Sequence, residues 1–117
     1  MSQIVPDGKD WTIVLDTVCE QCGYDVRGIS PSDAIEQLPG HVERYISVLS
    51  RPDAAIRTNP ARWSEQEYVA HVAEMLEVMT GRLTLMLERD EPEFPNWDQD
   101  QAAEAGNYNA LGAGQVA

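Results

Sequence analysis

Between residues 63 and 87, apolar side chains return every three or four positions: Tyr68, Val72, Met75, Met79, Leu83 and Met86. That period predicts an amphipathic helix with one buried stripe. Its start is marked by Ser64, a good N-cap, with Glu67 three residues on to complete a capping box. Trp63 and Tyr68 flank the cap at the spacing of a hydrophobic staple. Pro92 and Pro95 cannot continue a helix, so the stripe should end near Arg89-Asp90. His71 falls on the same stripe, and an imidazole aimed into a core needs a partner for its ring nitrogens.

Upstream the pattern is weaker. Residues 1–10 are polar, with Pro6 and Gly8, and read as a loose arm. Trp11-Thr-Ile-Val-Leu15 is a short β-branched apolar run, strand-like or extended over the core. Cys19-Glu-Gln-Cys22-Gly23, followed by Arg27-Gly28, is a loop by composition. Ser30-Pro31 opens a helix, with Asp33 in its first turn. Pro39-Gly40 is expected to interrupt that helix, after which Val42, Tyr45, Ile46 and Leu49 mark a second apolar face ending before Arg51-Pro52. Asn59-Pro60 is a turn. Downstream, Asp98 can cap a short helix, with Gln101 in the reciprocal role. The tail from Gly106 holds three glycines and no proper C-terminal cap. Two amphipathic helices give a hairpin, which alone leaves one side of each stripe wet. Dimerisation, a docked partner or further helices would cover it.

At 117 residues the chain is at most one domain. Its net charge of -12 argues against direct contact with a phosphate backbone or an anionic membrane, but not against a basic protein partner. No basic leader or long apolar run points to a signal peptide or a membrane span, so a cytoplasmic setting is expected. There, a Cys-x-x-Cys speaks for metal or redox chemistry before a structural disulfide.

Cys19 and Cys22 could be half of a tetrahedral thiolate site, inert thiols or a redox couple; Gly23 frees the backbone for the turn. His71 could be a core histidine bonded to a carbonyl or tyrosine, or a metal ligand. Asp98 and Asp100 could cap and solvate a helix or serve as acid–base or metal groups. Trp97 and Phe94 could lid the helices or form a substrate platform. No nucleophile–base pair stands out, so no catalytic residue is assigned.

Cys19-x-x-Cys22-Gly23, then Arg62-Trp63-Ser64-x-x-Glu67-Tyr68-x-x-His71-Val72, Arg82-Leu-x-Leu-Met-Leu87 and Pro95-Asn96-Trp97-Asp98-Gln99-Asp100, in that order, resemble the DinB-like superfamily. The resemblance is greatest to an actinobacterial branch with an N-terminal Cys-x-x-Cys-Gly. It implies a four-helix bundle related to mycothiol-dependent maleylpyruvate isomerase, with one divalent metal on three histidines. His71 matches the first of these; the His-x-x-x-His of the last helix has no counterpart, since His41 lies upstream. The chain is therefore expected to be all-α: an arm with the Cys-x-x-Cys loop over 1–29 and a partial DinB-like bundle over 30–117, about two bundle helices and a short third.

The grouping expected on this basis is zinc held by Cys19, Cys22 and His71, with a carboxylate, His41 or water fourth. Trp97, Asp98 and Asp100 are candidate partner or substrate contacts. The expected function is a zinc-binding, metal-responsive adaptor or regulator that docks on a protein partner or self-associates, with a stress-response or ribosome-associated factor as the kind of client. The alternatives are an incomplete thiol transferase or hydrolase, and a metal-free dimerising helical fragment.

Overall fold

The computed structural model describes residues 4–116. The fold is all-α, with no strand among the described residues. The described residues form four α-helices, in order α1 (Pro31–Leu49), α2 (Glu65–Glu88), α3 (Gln99–Gly106) and α4 (Ala113–Val116). Short 3₁₀ segments lie at Trp11–Leu15 and Tyr108–Ala110. By internal contacts the chain forms two compact units, 6–44 and 45–116 with residues 4–5. That cut falls inside α1, whereas the motif-based cut at 29/30 falls just ahead of it.

In the smaller unit, the Trp11–Leu15 run coils as a 3₁₀ turn instead of extending. Asp10 caps it, accepting from the Thr12 amide at 3.0 Å, which favours coiling over an unpaired strand. Ser30 and Asp33 cap α1 reciprocally, each accepting from the other's amide (3.1 and 2.9 Å). Pro39 does not interrupt this helix, contrary to expectation. It removes one amide donor, but residues 31–44 are exposed throughout and water can satisfy the freed carbonyl.

In the larger unit the capping box forms as expected. Ser64 Oγ accepts from the Glu67 amide at 3.1 Å, and Glu67 accepts from the Ser64 amide at 3.0 Å. Trp63 meets Tyr68 edge to face at 5.2 Å, completing the staple. Arg89 ends α2 where the prolines require it. Asp98 caps α3, accepting from the Asp100 and Gln101 amides. After α3, Asn107 takes a left-handed conformation (φ 45°) and turns the chain back onto α2.

The stripe is where expectation and structure part. Tyr68, Met79, Leu83 and Met86 are exposed, while the buried residues of α2 are Gln66, Glu67, Val69 and Ala70. The core is a small cluster of Leu49, Val69, Ala70, Ala103, Tyr108 and Val116, flanked by Val48, Trp63 and Leu111. It lies at the first half of α2, on the face that the tail reaches. The tail is therefore not a frayed end: polar bonds from α2 catch its carbonyls and aim Tyr108 inward. Gly106 permits that approach, because a Cβ there would lie 2.6 Å from the Tyr108 ring.

Candidate functional site

Two clusters hold the residues singled out by the sequence, one in each unit. In the smaller unit the Cys19–Gly23 turn is closed by backbone bonds from Gly23 N to Cys19 O (2.7 Å) and from Cys19 N to Tyr24 O (2.9 Å). Gly23 has φ +75°, a conformation that side-chain-bearing residues seldom adopt, so the glycine makes the turn possible. Cys19 is buried and Cys22 exposed, and neither is in a disulfide.

The Cys19 sulfur is well supplied with donors. Lys9 Nζ donates to it at 2.9 Å and also to Gln21 Oε1 at 2.7 Å. The Lys9 ammonium is the largest influence on the thiol, followed by the Cys22 and Gln21 backbone amides, and together they bring its pKa down to about 6. These donors favour the Cys19 thiolate, the form that attacks electrophiles and binds metals. Sequence reasoning found the cysteines but not Lys9. The signal was present, since Lys9 is the only lysine in the chain.

In the larger unit His71 lies between two indoles. Its ring stacks on Trp97 at 5.7 Å with planes 2° apart, and meets Trp63 at 5.2 Å. Burial lowers the His71 pKa, against smaller opposing pulls from Glu74 and Asp100, and so favours the uncharged ring. Its Nδ1 is buried without a hydrogen-bond partner among the described residues, so the carbonyl or tyrosine partner expected for a core histidine is not supplied at this nitrogen. Trp97 is half-buried against His71, the Asp98 carboxylate is engaged in capping α3, and Asp100 is half-buried.

Beside His71 runs a polar clamp that sequence reasoning missed. Glu67, with its side chain 4% exposed, pairs with Arg57 at 2.6 Å and accepts from Asn109 Nδ2 at 2.8 Å. Burial raises the Glu67 pKa, but Arg57, the Ser64 amide and Asn109 outweigh it and hold the carboxyl at about 2. Gln66 donates to the Tyr108 and Leu111 carbonyls, both at 2.8 Å. The Tyr108 hydroxyl bonds Glu74, and burial with that carboxylate pushes its pKa up. This clamp locks the tail onto α2.

Among the described residues no three His, Cys, Asp or Glu side chains gather as a metal cage. The Cys19–Cys22 turn does fit half of a tetrahedral zinc site, with two free cysteines on one turn. No helix of the described residues is long and apolar enough to cross a membrane. No protein-family model, curated protein or solved structure matches the chain. The likeness to the DinB-like superfamily rests on the motifs alone.

Proposed function

We propose that the chain is a zinc-responsive adaptor, in which the Cys19–Cys22 turn takes the metal and the helical unit meets a protein partner. The observation that carries this reading is the dithiol turn itself, closed from Gly23 N to Cys19 O at 2.7 Å, with two free cysteines three residues apart. Zinc supplies a centre that orders its ligands, and folding coupled to that binding is how a small site senses metal. Two further donors complete a tetrahedral ion. The partner half of the reading is supported by the exposed row Leu76, Met79, Leu83 and Met86 on α2. Methionine-rich surfaces of this kind adapt to partners of varied shape.

Elemental mass spectrometry of untagged protein, loaded with zinc and desalted, tests the metal half. The expected result is about one zinc per chain, lost in Cys19→Ser and Cys22→Ser. A wild type that retains no zinc overturns the reading. His71→Ala in the same series reports whether the imidazole is one of the ligands.

A further inference from the structure

Lys9 does more than lower a pKa. Its Nζ touches Cys19 Sγ and Gln21 Oε1 and lies 4.3 Å from the centroid of the Trp11 ring. Trp11 is tied back in turn, its Nε1 donating to Asp7 Oδ2 at 2.7 Å. The Asp7–Trp11 segment is thus fastened to the dithiol turn through one ammonium. A groove of about 500 Å³, lined by Asp7, Lys9, Trp11 and Gln21 among others, opens at this junction.

A metal ion on Cys19 would use the electron pairs that now accept from Lys9. Two cations on one sulfur stand at contact range, where their repulsion is strongest. We propose, on the zinc reading above, that Lys9 stands in for the metal on Cys19 and that zinc and Lys9 exclude one another there. Loading the turn then unfastens the Asp7–Trp11 segment. Zinc enters as the dication, Cys22 yields its proton to solvent, and the Lys9 ammonium moves into water with its charge intact. Metal occupancy is thereby converted into release of an already exposed, tryptophan-bearing segment from the turn, a change that a partner can read.

Because Lys9 is the sole lysine, its side chain reports its own state. The full chain, held at one neutral pH, is titrated with zinc ion against a chromophoric chelator. In parallel it is acetylated with an N-hydroxysuccinimide ester, and peptide mass spectrometry separates Lys9 from the N-terminal amine. Expected are a several-fold faster acetylation of Lys9 in the zinc-loaded chain and roughly tenfold tighter zinc binding by Lys9→Gln, the scale of one lost charge-assisted hydrogen bond. Zinc binding that leaves Lys9 acetylation unchanged or slower overturns the exclusion, as does Lys9→Gln binding zinc no more tightly than wild type. Either result leaves the zinc reading standing. Absence of zinc binding in both proteins removes the reading and the inference together.

Discussion

The two units of this chain are built by different physics. Residues 45–116 bury an apolar cluster and close it with a clamp of charged and amide groups around Glu67. Between residues 6 and 44 only Cys19 is buried, and beside it stands Lys9, whose ammonium donates to both the Cys19 sulfur and Gln21 Oε1. The first arrangement excludes water to hold shape. The second is exposed almost throughout, and its one buried side chain is a reactive thiol. Stability and chemistry are thus housed apart, and substitutions should separate them.

The largest effect is expected from Tyr108→Ala, which empties the centre of the apolar cluster. It should cost about 4 kcal/mol of unfolding free energy in urea, the range for a buried aromatic. The Cys19 titration should not change. A loss below about 1 kcal/mol would mean that the tail is not what closes the core.

Glu67→Ala comes next, at about 3 kcal/mol, because it strands Arg57, the Ser64 amide and Asn109 together. The same carboxyl gives a pH signature. Its folded pKa, about 2, lies below the ordinary value of 4.5, so its contribution is fully present above pH 4.5 and is lost as pH falls toward 2. Urea midpoints should decline across that window in the wild type and decline less in Glu67→Gln. Ser64→Ala, which removes a cap and a bond to Asn109, should cost about 1–2 kcal/mol in the same assay.

These residues also show where sequence reasoning reaches its limit. The capping box, the staple and both ends of α2 were legible because they are set by neighbours a few residues apart. The buried face of α2 was not. Periodicity gives an apolar stripe but not which element will cover it, and the tail covers the face carrying Gln66, Val69 and Ala70 instead. That choice depends on bonds spanning some forty residues, such as Gln66 to the Leu111 carbonyl, which no local pattern encodes. The same holds for Lys9: the cysteine spacing declares a thiol site, but the ammonium ten residues upstream that makes it a thiolate is visible only once the arm is folded.

Lys9→Gln should have the smallest effect on stability, within about 0.5 kcal/mol in urea, since it touches no part of the apolar cluster. Its effect should fall on the sulfur. In chelator-treated protein the ultraviolet thiolate absorbance should titrate near pH 6 in the wild type and move up toward 9 in the variant. A wild-type midpoint near 9 would mean that Lys9 does not hold the thiolate in solution.

The proposal that the dithiol turn is a metal site is tested most directly by cobalt(II) in place of zinc, read by absorption. A sulfur-to-cobalt charge-transfer band, with the intense visible bands of a tetrahedral ion, is expected in the wild type and should be lost in both Cys19→Ser and Cys22→Ser. A cobalt-loaded wild type with no charge-transfer band, or with one that survives Cys19→Ser, would contradict it.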